Sequence, residues 1–249
     1  LNRQIDALDD SNPLSIVPVA GGSVTFTAGN NVNLNRDLAT FNGPVDIRAA
    51  AGTLNIAWNG DESRNYRINS GTMPVTVTAG GNLSTGTAIP SGLTFPDIDV
   101  SGLPIIDQFP AKLAYIADQL QPWVSLVTTG KLTLTSTAKN VTVDAPIPDT
   151  TGEVEINAGD AIVVNGKILS NNQNITLDAG LGGITVNATE DDYGISGVGT
   201  FPSIFPGSGD LTLLSLGDVW INTVNGIDTA GKLTIDTQAK IIQGMLTHN

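Results

Sequence analysis

The sequence lacks cysteine, has a single histidine and carries few positive charges. Without cysteine there is no disulfide and no cysteine-ligated zinc site. The one histidine, His248, lies beside the last residue, so a Ser-His-Asp or Cys-His catalytic arrangement is not expected. Lys and Arg total 11 against 24 Asp and Glu, which gives a formal net charge of -13. This balance argues against nucleic acid as a partner, because a phosphate backbone requires a basic surface.

Long apolar runs are missing as well. No run approaches the roughly 18 residues of a membrane-spanning helix, so we expect no direct membrane insertion. The chain starts at Leu1 without a recognisable signal peptide, and we expect a processed product or a piece of a longer protein. What the sequence does contain is Gly, Asn, Thr and β-branched residues, with Gly and Pro spaced between short apolar runs. This composition is typical of β structure with many turns.

A five-residue pattern recurs eight times. The first and third positions are apolar and the fifth is Ala, Ser or Thr; the copies begin at Val24, Val45, Val75, Leu132, Val154, Ile175, Leu211 and Leu233. Alternation along a strand places these three positions on one face. The small fifth residue therefore indicates a crowded, inward corner. Where nothing interrupts them, the copies follow one another at 21 or 22 residues.

A second apolar run begins eight or nine residues after the first, and a further apolar residue often follows, as at Leu38, Ile147 and Ile168. In five copies the residue directly after the second run is Asn or Asp: Asn35, Asp144, Asn165, Asn187 and Asn222. Asn tolerates the left-handed backbone of turns and hydrogen-bonds to its neighbours. We predict that these five residues form a structural turn ladder.

These features together predict an all-β fold, a parallel β-helix (β-solenoid) of about eight coils in a single domain over residues 1–249. Each coil would contain a strand, a bend, a second strand, an Asn turn and a short third strand, stacked at the spacing of neighbouring strands. A β-sandwich is the alternative, although it does not require phase-locked units of 21 and 22 residues.

The repeat also resembles a known family. Residues 130–183 and 210–242 follow the pattern GxLTLxAGxxVxVNGxIxxxxxNITLxAG most clearly, and residues 22–56 follow it well. This pattern is similar to the repeat region of filamentous haemagglutinin-type exoproteins, which bacteria export by two-partner secretion. The resemblance implies a right-handed solenoid, secreted or held at the outer cell surface, with an adhesive or structural role. Its partner would be a glycan or protein of a host or neighbouring cell, or other copies of itself.

Three insertions interrupt the repeat, at about 57–74, 89–131 and 188–209, each after the second strand of its coil. Elements at one phase of a solenoid project from one edge, so we expect the insertions to share a side. They are rich in aromatic residues, and the candidates for ligand contact are Trp58, Tyr66, Phe95, Tyr115, Trp123, Tyr193, Phe201 and Phe205. The rings could pack the insertions onto the solenoid or line a groove, and the sequence leaves both open.

The longest insertion contains a helical pattern in the stretch FPAKLAYIADQLQPW. Pro110 suits the first turn of a helix, and Pro122 ends the pattern. Leu113, Ile116, Ala117 and Leu120 would share one face because they recur at helical spacing.

Two other functions remain open at this point. A polysaccharide-active β-helix enzyme would need paired or clustered carboxylates in the insertions; the candidates are Asp61, Glu62, Asp97, Asp99, Asp107, Glu190, Asp191 and Asp192. Calcium is a weak possibility at the last three of these, because three adjacent residues rarely converge on one ion. Alternatively, the rod is the subunit of a filament, since the last repeat, LTIDTQAKIIQG, is ordinary and could stack on another copy. We expect no other cofactor and, on balance, no enzymatic activity.

Overall fold

The computed structural model describes residues 22–34, 37–40, 42–56, 67–87, 93–148, 151–187, 203–222 and 227–243. Two parallel sheets of eight strands run the length of the molecule. The first sheet contains, in spatial order, β1 (Val24–Ala28), β4 (Val45–Ala49), β7 (Val75–Ala79), β10 (Leu132–Ser136), β12 (Val154–Ala158), β15 (Ile175–Ala179), β18 (Leu211–Ser215) and β20 (Leu233–Thr237). The second contains β2 (Val32–Leu34), β5 (Leu54–Ile56), β8 (Leu83–Ser84), β11 (Val141–Val143), β13 (Ala161–Val164), β16 (Gly183–Val186), β19 (Val219–Ile221) and β21 (Ile241–Gln243).

A third face closes each coil with shorter elements. It contains one sheet of β3 (Leu38–Ala39), β6 (Ile68–Gly71) and β9 (Leu126–Thr128), and another of β14 (Ile168–Leu169) and β17 (Ile204–Phe205). Single parallel bridges continue this face, from Ile147 to Ile168 and from Ile204 to Ile227. We call the bends between the three faces the first, second and third corners, in chain order.

The predicted parallel β-solenoid of eight coils is confirmed. All eight copies of the five-residue pattern are strands of the first sheet, and each position pairs with the same position of the next coil. Val24 pairs with Val45, for example, and Leu132 with Val154. The strand pairing follows the sequence repeat because shifting one strand by a single residue against its neighbour would turn its apolar side chains outward.

The core consists of columns of inward side chains. Leu134, Ile156 and Leu177, third residues of successive first-sheet strands, are fully buried. The fifth residues of these three strands are buried too, and Ser136 shows why they are small: its Oγ donates to the carbonyl oxygen of Gly81 at 2.6 Å and accepts from the N–H of Lys139 at 3.1 Å. The turn backbone of the first corner therefore occupies the space that a larger side chain would need.

The insertions are shorter than the sequence indicated. The last parts of the predicted segments 57–74, 89–131 and 188–209 contain β6, β9 and β17, which are ordinary third-face strands. The predicted ends were wrong because an insertion between the second and third strands removes the fixed spacing by which a third strand is recognised. All three interruptions do fall at one phase, between the second and third faces.

The helix α1 (Ile105–Gln119) lies in the longest insertion and starts earlier than predicted. Pro110 is its sixth residue, so its assignment to the first turn was wrong. The helix starts instead after Pro104, whose carbonyl oxygen accepts from the N–H of Asp107 at 2.9 Å. It ends as expected before Pro122, which lies in a 3-10 turn (Gln121–Trp123). In the described ranges, no helix has the length and apolar character to cross a membrane.

Candidate functional site

The second corner is where the insertions leave the solenoid, and the longest one leaves through a closed neck. Thr85 follows β8 and Ser125 precedes β9, and the Ser125 Oγ donates a hydrogen bond to the carbonyl oxygen of Thr85. Both residues are buried. The Ser125 carbonyl oxygen also accepts from the N–H of Ile68 in the preceding coil at 2.8 Å. The insertion is therefore anchored at both ends on the rigid coil stack.

The candidate aromatic residues divide into three groups. Phe95, Tyr115 and Trp123 belong to the longest insertion and are half-buried: Phe95 in the irregular segment before α1, Tyr115 on α1, and Trp123 at the turn after it. Phe205 is a correction, because it lies in β17 beside Leu169 and so belongs to a coil rather than an insertion. The remaining four lie outside the described residues: Trp58, Tyr66, Tyr193 and Phe201.

Tyr115 and Trp123 are partly buried, which fits both packing of the rings onto the solenoid and contact with a ligand. Ile116, the residue after Tyr115 on the same helix, is buried, with 4 % exposure. The Lys112 Nζ lies 4.0 Å from an Asp97 carboxylate oxygen, which ties the helix to the segment before it. Tyr115 and Trp123, on the helix and on the turn that follows it, are both partly accessible.

The Asp99 carboxyl, one of the candidates in this insertion, has a pKa shift opposite to the one that suits a general acid. Hydrogen bonds from Ser101, first from its hydroxyl and then from its backbone N–H, lower the pKa of the Asp99 carboxyl. A general acid needs the opposite shift. In the part of the chain that the structure describes, no three acidic or histidine side chains converge as a metal site. The weak calcium candidates Glu190, Asp191 and Asp192 lie outside that part, as do Asp61 and Glu62.

Four of the five predicted ladder residues form one chain of hydrogen bonds along the second corner. The Asn165 amide donates to an Asp144 carboxylate oxygen at 2.8 Å, the Asn187 amide donates to Asn165 Oδ1 at 3.2 Å, and the Asn222 amide donates to Asn187 Oδ1 at 2.6 Å. The fifth residue, Asn35, lies outside the described residues. Because each of these hydrogen bonds joins two consecutive coils, the ladder stabilises the corner from which the insertions project.

The ladder starts at the neck of the longest insertion. Thr85 continues the register of β8 at the level of Val143 in the next coil, and its hydroxyl accepts from the backbone N–H of Asp144 at 3.1 Å and of Ala145 at 3.3 Å. The Ser84 Oγ donates to the other Asp144 carboxylate oxygen at 3.2 Å. The neck and the ladder are thus one connected polar network.

Sequence reasoning missed two further sets of side chains. Asn or Asp residues directly before a strand accept the backbone N–H of the next coil, as Asn140 does from Ala161 at 3.2 Å and Asp210 from Lys232 at 2.9 Å. Buried hydroxyls recur at the third corner, where the Thr128 Oγ1 donates to the Met73 carbonyl oxygen at 2.6 Å. An alignment of all eight coils by phase, including the interrupted ones, would have revealed both columns.

Sequence reasoning also missed an exposed aromatic residue, because this residue lies in a regular coil and not in an insertion. Trp220 is the central residue of β19, points outward between Thr185 and Ile242, and is 42 % exposed. It lies on the second sheet, in a strand of a regular coil.

No protein-family model, curated protein or solved structure matches this chain.

Proposed function

We propose that this chain is a non-catalytic segment of a bacterial secreted or cell-surface protein, whose solenoid holds a binding edge away from the cell. The edge is the second corner with the insertions that leave it. The observation that carries the proposal is that all three interruptions of the repeat fall between the second and third faces. Insertions with no common role would have no reason to share one phase of the coil.

The physical properties of this edge suit recognition. Loops held on a rigid scaffold commonly carry binding, and here the scaffold is stapled by the Asp144 to Asn222 ladder directly beside the insertions. Tyr115 and Trp123 supply flat, partly accessible rings on which a sugar can stack. The net charge of -13 disfavours anionic polymers, so we propose a neutral glycan or a protein as the ligand class.

Binding of the purified 249-residue chain to an array of neutral and acidic glycans tests this proposal. We expect binding to neutral glycans that falls at least about tenfold, or roughly 1.4 kcal/mol, in Tyr115→Ala or Trp123→Ala. Trp220→Ala is the control, because it removes an exposed ring from a regular coil and not from the longest insertion, and we expect it to leave binding unchanged.

Two results would contradict the proposal. If Trp220→Ala abolished binding while the insertion variants kept it, the contact surface would be the second sheet instead. If the chain cleaved a polysaccharide with repeated turnover, the non-catalytic assignment would be wrong and the carboxylates of the insertions would become the leading candidates.

A further inference from the structure

Two Asn-Gly sequences in the described part of the chain differ in how the fold holds them. Asn42-Gly43 lies at the third corner, between β3 and β4, and Asn165-Gly166 lies at the second corner, between β13 and β14. In such a sequence the backbone nitrogen of the glycine can attack the side-chain carbon Cγ of the asparagine, because glycine has no Cβ that obstructs the approach. The hydrogen bonds of each asparagine decide whether that approach occurs in the folded protein.

The Asn165 amide is held at both of its polar atoms. Its Nδ2 donates to an Asp144 carboxylate oxygen at 2.8 Å, and its Oδ1 accepts from the Asn187 amide at 3.2 Å. The attacking atom, the Gly166 nitrogen, donates to the Val143 carbonyl oxygen at 2.8 Å. Attack on Cγ would require these three hydrogen bonds to break, so the fold protects this asparagine.

The Asn42 amide is held less firmly. Asn42 is exposed and has a left-handed backbone, with a φ angle of 61°. Among the described residues its side chain makes one hydrogen bond, in which Oδ1 accepts from the N–H of Thr72 at 3.2 Å. The Gly43 nitrogen donates to the Thr40 carbonyl oxygen over a longer distance, 3.4 Å. Gly43 and Gly166 are both buried, so the difference between the two sequences lies in these hydrogen bonds.

We propose that Asn42 is a site of spontaneous deamidation in the folded protein and that Asn165 is not. The Gly43 nitrogen loses its proton to water and forms a bond to Asn42 Cγ. The bond from Cγ to Nδ2 then breaks, ammonia leaves, and a five-membered cyclic imide remains. Water adds to one of the two imide carbonyls and opens the ring, which gives either aspartate or isoaspartate. The net reaction consumes one water molecule and releases one ammonia.

The two products differ in their effect on the third corner. Aspartate keeps the backbone unchanged, and its carboxylate still accepts from the N–H of Thr72 in the next coil. Isoaspartate brings the Cβ carbon into the main chain, which lengthens the turn between β3 and β4 and moves the acceptor away from Thr72. The modification therefore weakens this link between two coils only where isoaspartate forms.

Asn172 provides a comparison within the same fold. It also lies at the third corner, is exposed and has a φ angle of 56°. Its Oδ1 accepts from the N–H of Ser208 at 3.1 Å, as that of Asn42 does from Thr72. The residue after it is Gln173, whose Cβ obstructs attack by its own backbone nitrogen. Gln173 is exposed, so Gln173→Gly creates an Asn-Gly sequence here without removing a buried side chain.

Peptide mapping by mass spectrometry of the 249-residue chain, kept at mildly alkaline pH, tests this site independently of glycan binding. Alkaline pH favours the reaction because the attacking nitrogen must lose its proton, and electron-based fragmentation distinguishes isoaspartate from aspartate. We expect Asn42 to react at least about tenfold faster than Asn165 or Asn172 in the folded chain. In concentrated urea, Asn42 and Asn165 should react at similar rates, because the fold no longer restrains either. Asn59 and Asn225, which also precede glycine, lie outside the described residues and are followed as separate peptides.

The Gln173→Gly variant tests the geometric explanation. It should raise the rate at Asn172 toward that at Asn42 and leave Asn165 unreactive, and circular dichroism establishes that its fold is retained. Equal rates at Asn42 and Asn165 in the folded chain would overturn the proposal, and so would an Asn42 that stays intact while the chain in urea reacts. If Asn172 stayed as unreactive in Gln173→Gly as in the parent, the turn geometry that it shares with Asn42 would not permit the reaction.

Discussion

At the scale of single residues, the Asn ladder has a direction that its chemistry explains. Every amide in it donates toward the coil before it, and the series ends at Asp144, whose ionised carboxylate can only accept. A carboxylate is therefore the appropriate first residue, since it receives a donor from Asn165 and another from Ser84 without needing to donate. Aligned hydrogen bonds of this kind polarise one another and strengthen the series.

Replacing Asn165 with Asp tests whether the ladder depends on the amide donor at this position. The Asn165→Asp variant loses the N–H that Asp144 accepts and places two carboxylates face to face, so we expect a loss of about 2 kcal/mol in unfolding free energy at pH 7. Urea denaturation of variant and parent at pH 7 measures the difference.

The control for this variant adds the same charge at a position off the ladder. Asn33 lies on the outward side of β2 and is exposed, so Asn33→Asp should change stability by no more than about 0.5 kcal/mol. If the two variants lost equal stability, the effect would come from net charge, and the ladder would contribute nothing of its own.

At the scale of elements, side chains link one coil to the next in addition to the sheet hydrogen bonds. Lys131, before β10, bridges to Glu153 at 2.9 Å and to Glu155 at 2.6 Å, both in the following coil. The hydrogen bond from Lys131, and then that from Asn157, lowers the pKa of Glu155. The hydrogen bonds to Glu155 and then Glu153 raise the pKa of Lys131. These side chains are 34 to 47 % exposed, so water screens the attraction.

The pKa directions define a pH window for this link. A lowered pKa at Glu155 contributes stability above the unfolded value of about 4.3, and the contribution disappears as pH falls through the folded value. A raised pKa at Lys131 contributes below about 10.4 and is lost as pH rises beyond the folded value. Lys131→Met should therefore cost less than about 1 kcal/mol near neutral pH, and nothing at either extreme or in 1 M salt.

Lys139→Met provides the comparison, since Lys139 is exposed beside the first corner and its replacement changes net charge equally. Thermal melting of both variants across pH separates the ion pairs from the general charge effect. A pH-independent difference between the two would mean that Lys131 acts through its aliphatic part and not through its charge.

The sequence alone predicted those strands that several independent features of the repeat define at once. The strand β10 has two apolar residues, a small corner residue and a fixed distance to β12, and its bounds follow from these. β8 was missed because Leu83 is its single inward apolar residue and an insertion follows directly. β9 was missed because the same insertion separates it from β8. The ladder positions were predictable from the turn pattern, but the link between Asp144 and Thr85 was not, since it depends on which coils are neighbours across an insertion of unknown path.

At the scale of the whole molecule, each coil touches only its neighbours, so stability is close to a sum of coil and interface contributions. The exposure of Leu233 and Ile241 could not be read from the repeat, because the last coil has the same pattern as the buried ones. What differs is the number of neighbours. Leu134 has a coil on both sides and is fully buried, whereas Ile235 has a coil on one side and is partly buried.

This difference predicts that, in the 249-residue chain, β20 and β21 unfold before the coils that have neighbours on both sides. Leu134→Ala removes a side chain enclosed by two coils and should cost about 2–5 kcal/mol, and amide exchange should accelerate throughout the neighbouring coils. Ile235→Ala should cost less and accelerate exchange only in β20 and β21, since the remaining coils keep their contacts. Exchange measured by mass spectrometry distinguishes these patterns. Uniform acceleration by both variants would instead mean that the eight coils unfold as one cooperative unit.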